Sequence, residues 1–324
     1  MKQKKLGNTS LEVSVIGFGT WGLGGVSYGP MDEKTACDLL RTALERGITF
    51  FDTSDLYGNG KSEVLIGRAL GNVRDKIVLA TKGGTLPHTG FRMPQDFSEK
   101  HLSRSLEESL KRIGTDYIDL YQLHSPVLED VERYDCVGTL ERFKRDGKIR
   151  EYGISVRSPM DGKIAIDSYG FKVVQVNYNL IDHRAGEIGL FDMAAASGVG
   201  IICRTPICFG FLSGKLKADT MFAEGDHRAN WPKDQLSVWA DAPALFAGVL
   251  SRQGQSCVQL ALRFCLAPKA VSTVIPGMMN MEELEENVQA ASLPPISKEE
   301  VVEIRQIYQS NTFFDKTAKS KGKQ

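Results

Sequence analysis

Short apolar runs recur along this chain, each bounded by turn residues and most followed by a segment whose apolar positions repeat at three and four residues. They fall at 15–19, 48–51, 77–80, 117–123, 149–154, 173–176, 200–203 and 271–275. Continuous runs this short suit strands of a parallel sheet, covered on both faces. The helical pattern between them is clear in places. Asp32 is a good N-cap for a helix that puts Ala36, Leu39, Leu40 and Ala43 on one face, and Gly47 stands just beyond its end. Ser62 is expected to open a short helix ending near Gly71, and Ser98 to cap a longer one whose face is Leu102, Leu106, Leu110 and Ile113. Gly147 stops another that holds Leu140 and Phe143.

Eight strands alternating with helices predict a single (β/α)8 TIM barrel as one domain over residues 1–324. Lys4-Lys5-Leu6 and Leu11-Glu12-Val13 flank the turn signal Gly7-Asn8, which predicts an N-terminal β-hairpin closing the barrel bottom. A long loop is expected between strands seven and eight, at 222–253, rich in charge and carrying Trp231, Pro232 and Trp239. Loops of that length on an active rim are usually functional. Residues 316–324 hold lysines and no apolar pattern, and are expected to form a disordered tail.

Composition narrows the function classes. Forty basic and forty acidic residues cancel, which removes the electrostatic footprint for nucleic acid or an anionic membrane. Small neutral molecules are the expected partners. No apolar run approaches the roughly 18 residues of a membrane span, and Met1-Lys2-Gln3-Lys4-Lys5 lacks the apolar core of a signal peptide, so a cytoplasmic location is expected. Cys37, Cys136, Cys203, Cys208, Cys257 and Cys265 show no C-x-x-C pair and no partnering histidine spacing. They read as reduced core thiols, with neither a metal site nor a disulfide framework.

Candidate chemistry lies at the ends of three successive runs. Asp52, Lys82 and His124 each follow one, and Tyr57 lies just past Asp52. In a closed barrel these ends converge on the C-terminal rim, where catalysis sits. Taken singly, Asp52 and Lys82 could be a structural ion pair and His124 would more often be a core histidine; the four together are a proton-transfer set. A lysine ammonium beside the tyrosine is expected to favour phenolate and lower the phenol, because unit charges about 4 Å apart at an effective dielectric near 20 interact by roughly 4 kcal/mol. Asp52 would orient Lys82, and His124 would donate to a carbonyl oxygen. One motif is set aside: Gly17-Phe18-Gly19-Thr20-Trp21-Gly22 matches G-x-G-x-x-G, but glycines and Pro30 postpone any helix to about Asp32, which a Rossmann turn does not allow.

The segment Gly47-Ile48-Thr49-Phe50-Phe51-Asp52-Thr53-Ser54-Asp55-Leu56-Tyr57-Gly58, with Ser62-Glu63 following, resembles a signature of the aldo-keto reductase superfamily. Ala80-Thr81-Lys82, Asp119 through His124, Gly147 through Ser155, and Val274-Ile275-Pro276-Gly277 with Asn287 resemble that family's further blocks in order, from about Leu6 to Ala291. The resemblance implies a barrel that binds NAD or NADP without a Rossmann fold, and interconversion of an aldehyde, ketone or sugar carbonyl with an alcohol, with Tyr57 as general acid and base. It also implies that Ser155 and Gln175 hold the nicotinamide carboxamide, although Val156 stands where many relatives carry asparagine. Arg204 stands where many place a stacking aromatic, and could stack or reach the pyrophosphate. Gly210-Phe211-Leu212-Ser213-Gly214-Lys215 resembles the loop over the pyrophosphate, with Lys215 as counter-charge.

After Gly277 the chain reads Met278-Met279-Asn280-Met281-Glu282-Glu283, without the cation that NADPH-using relatives often carry there. Glu283 would repel a 2′-phosphate and accept from a ribose hydroxyl, which leans the cofactor towards NAD or dual use unless Arg228 reaches over. Glu286 and Asn287 resemble an adenine-contacting pair. A substrate pocket of Trp21, Tyr28, Leu56, His88 and Phe91 is expected, selecting neither reduction nor polyol oxidation. The alternative is a barrel that binds cofactor as the regulatory subunit of a membrane channel, with little turnover; about 14 residues ahead of the first strand leave no extended plug segment and weigh against it.

Overall fold

The computed structural model describes residues 1–87, 93–251 and 254–314. Two strands, β1 (Gln3–Lys5) and β2 (Glu12–Ser14), form an antiparallel hairpin. Eight more make one parallel sheet: β3 (Phe18–Gly19), β4 (Phe50–Asp52), β5 (Val78–Gly83), β6 (Ile118–His124), β7 (Ile149–Ser155), β8 (Val173–Asn177), β9 (Gly200–Arg204) and β10 (Val271–Val274). They are ordered by sequence from β3 to β10. Backbone bonds then close the ring, from Gly17 N–H to the Val274 carbonyl at 2.8 Å, from Val274 N–H to Val15 at 3.1 Å, and from Gly19 N–H to Pro276 at 2.9 Å. The predicted (β/α)8 barrel is therefore the fold.

Strand alternation sorts the side chains into two cores. Phe51, Leu79, Tyr121, Leu123, Val174 and Ile201 face outward, under the helices. Phe50, Ala80, Leu120, Val173, Ile202 and Ile275 face inward and pack with Leu6, Leu11 and Val13 of the hairpin. The hairpin plugs the N-terminal end of the barrel. Its turn is fixed there by Asn8 N–H to the Gly198 carbonyl at 2.7 Å, Lys4 Nζ to Val271 at 3.0 Å, and Ser272 Oγ to the Lys5 carbonyl at 2.9 Å.

The first helix, Glu33–Glu45, starts where expected, with the Asp32 carboxylate accepting from Thr35 N–H at 2.8 Å. Ser98 caps the helix Glu99–Ile113 in the same way. Ser62 does not open its helix, which runs Lys61–Leu70 behind Gly60. Its buried hydroxyl instead bonds Thr20 Oγ1 at 2.7 Å and Thr53 Oγ1 at 3.1 Å, tying the loop after β3 to the end of β4. The long connection after β9 is also less of a loop than expected. Part of it coils into the helices Lys233–Leu245 and Ala247–Ser251, and Trp239 is fully buried with its indole N–H on the Phe313 carbonyl at 3.0 Å. The tail expectation at 316–324 lies outside the described residues.

All six cysteines are buried and unpaired. Among the described residues no helix is long and apolar enough to cross a membrane, and no group of His, Cys, Asp and Glu is arranged to hold a metal ion.

Candidate active site

The inward register that sets the apolar layer also sets what lies above it. Two residues beyond Phe50, Ala80, Leu120, Val173 and Ile202 come Asp52, Lys82, Gln122, Gln175 and Arg204, on five strands. One more step along β6 gives His124. These six residues thus belong to the strands themselves, at inward positions near the C-terminal rim, whereas Tyr57 lies in the loop after β4.

Lys82 is the centre of this layer. Its ammonium is buried and has three donors, and the structure uses all of them: Asp52 Oδ1 at 2.5 Å, the Thr53 carbonyl at 2.8 Å and Tyr57 Oη at 3.3 Å. Asp52 Oδ2 is held from the other side by Gln122 Nε2 at 3.1 Å and Gln175 Nε2 at 2.7 Å. Desolvation pulls the Lys82 ammonium down, but Asp52 and then Tyr57 outweigh it, and the net direction is upward from its ordinary value. Lys82 is a fixed cation.

Tyr57 corrects the expectation that its phenol is lowered. The Lys82 charge does act in that direction, but burial outweighs it and Asp52 opposes it, so the phenol lies above its ordinary value. Low dielectric penalises the phenolate more than one shared cation stabilises it. The ring has His124 against it edge-to-face at 6.1 Å and Trp21 at 6.3 Å. His124 Nδ1 lies 3.1 Å from Ser54 Oγ.

Trp21 and Tyr28, expected over the barrel mouth, meet edge-to-face at 5.3 Å, and Leu56 lies half-buried beside Tyr57. His227 joins them at 4.5 Å from Trp21 and 4.7 Å from Tyr28, with Phe209 at 5.1 Å from its ring. Nothing in the sequence marks His227; it arrives from the long connection, whose backbone is pinned there by His227 N–H to the Ser27 carbonyl at 2.9 Å. His88 and Phe91 lie outside the described residues.

The expected cofactor residues divide into three groups. Ser155 and Gln175 are adjacent and bonded, Oγ to Oε1 at 3.3 Å, beside Asp52. Arg204 spans to the Val156 carbonyl at 3.0 Å, its Nε is buried without a partner, and burial lowers its guanidinium below the usual range. Asn287 is buried with neither its amide oxygen nor its nitrogen bonded, beside half-buried Glu286. The third group is already engaged. Lys215 is exposed and paired with Glu282 at 2.8 Å. Glu283 caps its own helix, Met281–Ala290, accepting from Met279 N–H at 2.8 Å and from the Asn280 side chain at 3.1 Å. Arg228 is clamped on Asp226 at 2.6 Å between the Tyr28 and Phe222 rings, so its reach to a distant phosphate is already spent.

Gln122 was missed because an amide inside an apolar run carries no signature; the register that places it beside Lys82 is what reveals it. Near Arg204, the backbone at Thr205, Cys208 and Phe209 takes positive φ, a strained path for non-glycine residues that leads into the segment 210–215 expected over a pyrophosphate.

Comparison with known proteins agrees with this geometry. The model of the Aldo/keto reductase family matches residues 15–309. The chain is 31% identical to the uncharacterized oxidoreductase YqkF of Bacillus subtilis over 93% of its length and 94% of that protein's. It is 33% identical to the aldo-keto reductase yakc [NADP(+)] of Schizosaccharomyces pombe, with 94% and 90% covered. The structure of the glycerol dehydrogenase AKR11B4 from Gluconobacter oxydans superposes with a TM-score of 0.82 at 26% identity, covering 97% of each chain. The chain belongs to the aldo/keto reductase family.

Proposed function

We propose that this chain, as one barrel domain, interconverts a carbonyl and an alcohol by hydride transfer to and from a nicotinamide dinucleotide, with Tyr57 as general acid and base. The observation that carries the reading is the placement of all three Lys82 donors on Asp52, the Thr53 backbone and Tyr57. The bound dinucleotide would supply the hydride, and the remaining steps belong to the protein. Reduction leaves charge on the substrate oxygen, which Tyr57 meets with its proton; the adjacent ammonium stabilises the phenolate left behind. Oxidation runs the same step backwards. The raised phenol keeps its proton through neutral pH, so Tyr57 is ready as an acid there, while its activity as a base grows with alkalinity.

The unbonded polar atoms of Asn287 and the Arg204 Nε suit a ligand rich in donors and acceptors, because buried groups of this kind are rarely left without partners. Ser155, Gln175 and Arg204 would hold the nicotinamide end, Gly277, Glu286 and Asn287 the adenosine end, and Lys215 the edge of the pyrophosphate. A negative Glu283 and a clamped Arg228 favour NAD over NADP. The name of the fission-yeast relative favours the reverse, and the substrate class to try first is small polyols and their carbonyls, after the name of the glycerol dehydrogenase.

Fluorescence titration with NADH and NADPH separates the two cofactors. Because Glu283 also caps its helix, Glu283→Gln is the suitable variant, removing the charge and retaining an oxygen for Met279 N–H. The expected result is tighter NADH binding, with NADPH gaining in the variant. Tighter NADPH binding by the unaltered protein would reverse the preference, binding of neither would end the enzyme reading, and turnover unchanged in Tyr57→Phe would remove Tyr57 as the general acid and base.

A further inference from the structure

Ser54 and Asp55 follow β4, and neither has a part in the reading above. Ser54 Oγ has three polar neighbours: the Leu56 backbone N–H at 3.1 Å, Asp55 Oδ1 at 3.0 Å and His124 Nδ1 at 3.1 Å. The amide only donates and takes one lone pair of the hydroxyl. The hydroxyl has one hydrogen of its own, which goes either to Asp55 or to His124. On its far side Asp55 Oδ2 accepts from Ser105 Oγ at 2.7 Å, and Ser105 in turn accepts from the buried Tyr121 hydroxyl at 3.3 Å. The Ser105 and Tyr121 hydroxyls therefore both donate in the direction of the carboxyl.

An ionised carboxylate accepts only. It takes the Ser54 hydrogen, and Ser54 is then left to accept from His124, whose hydrogen must lie on Nδ1. We propose that Asp55, acting through Ser54, is a positioning residue that fixes the ring hydrogen of His124 on Nδ1, so that Nε2 meets the substrate oxygen as an acceptor when the ring is neutral and donates to it only when the ring holds a second proton. The inference deepens the carbonyl and alcohol reading of this site and rests on it for its consequence in turnover. It alters the simplest expectation for His124, a neutral ring donating to a carbonyl oxygen. Under this arrangement the donor is the charged ring, stabilised by Asp55 through one hydroxyl.

Several charged groups face the relay. Glu63 on the helix Lys61–Leu70 and Arg112 on the helix Glu99–Ile113 approach Asp55, and they are paired with each other at 2.6 Å, with Glu63 also accepting from Thr81 Oγ1 at 2.6 Å. Tyr121 approaches from β6, and Tyr57, with Lys82 behind it, faces His124. Burial raises the Asp55 carboxyl to about 6, against the Ser105 bond that lowers it, so it is ionised well above that pH and the tautomer is fixed there.

The test is the nitrogen-15 spectrum of the whole protein with labelled histidine, followed to alkaline pH until the His124 signals no longer change. The His124 signals are assigned by their loss in His124→Gln. The expected result is an Nδ1–H tautomer in about tenfold excess or more, the worth of one charge-assisted hydrogen bond. In Asp55→Ala the Ser54 hydrogen has only the ring nitrogen left to bond, and the His124 hydrogen is expected on Nε2. Ser54→Ala, which cuts the link without touching the carboxyl, is expected to abolish the excess as well. An Nε2–H tautomer in the unaltered protein, or an Nδ1–H tautomer that survives both variants, would overturn the assignment. The spectrum needs no turnover, so failure of the carbonyl reading leaves it intact and failure of the relay leaves that reading intact.

Discussion

At the scale of single residues, the Asp52–Lys82 pair is the most exposed to damage, because both charges are buried and each holds the other's bonds. Lys82→Met leaves Asp52 in the barrel with only the Gln122 and Gln175 amides. Removing one partner of a buried pair costs about 3–5 kcal/mol, chiefly for the charge left behind. Urea unfolding of Lys82→Met is expected to show a loss of that order, and Asp52→Asn combined with it should recover part. A loss below about 1 kcal/mol would mean that water already reaches the pair. Turnover in Lys82→Met is expected to fall by at least about 100-fold, the low end of general acid–base assistance. These two residues, with Tyr57 and His124, were legible because ionisable side chains at the ends of apolar runs are conspicuous. The direction of the Tyr57 shift was not, since a sequence displays the neighbouring charge and hides the depth of burial. Gln122, Ser54 and Asp55 were equally hidden: their significance lies in which atoms they face.

At the scale of elements, the rim depends on two loops that meet backbone to backbone. A Cβ on Gly58, at φ +60°, would stand 2.5 Å from the Gly24 carbonyl oxygen, and one on Gly24 would stand 2.7 Å from Gly58 N. Only glycine at both places lets the loop bearing Trp21 lie against the one bearing Tyr57. Gly58→Ala is expected to cost more than about 1 kcal/mol in thermal unfolding. A displacement of Tyr57 near 1 Å costs about 100-fold in rate, so turnover should suffer more than stability; the opposite order would show that Tyr57 is positioned without this contact. The strands and the early helices were legible from period and caps. The helix Lys233–Leu245 was not, although Leu236, Trp239 and Ala240 make a buried stripe. Pro243 lies inside it and speaks locally against a helix, and what holds Trp239 is the Phe313 carbonyl, 74 residues away. Non-local anchoring of this kind leaves no mark in a window of sequence.

At the scale of the whole molecule, the net charge is zero at neutral pH and self-repulsion is small there, and buried histidines add a specific sensitivity to acid. His183 lies between Phe264 at 4.8 Å and Tyr308 at 3.9 Å, its Nε2 against the Leu180 carbonyl at 3.0 Å. Burial lowers it to about 4, and burial at the rim lowers His227 to about 4 as well. A folded-state value depressed below the unfolded one means that the unfolded chain takes up the proton first as pH falls. Stability held above about pH 6.5 is therefore lost progressively down to about 4. Asp55 works the other way: burial raises it to about 6, so its contribution is present at low pH and is lost as pH rises through that value. With two rings against one carboxyl, the balance over this window is a loss on acidification, on the order of 3 kcal/mol from His183 alone. Urea midpoints measured at pH 7 and pH 4.5 should show it. His183→Phe keeps the aromatic stack and has no proton to gain, and its midpoint is expected to change less between the two pH values than that of the unaltered protein. Equal slopes for the two proteins would remove His183 from the account and place acid sensitivity on the carboxylates of the barrel instead.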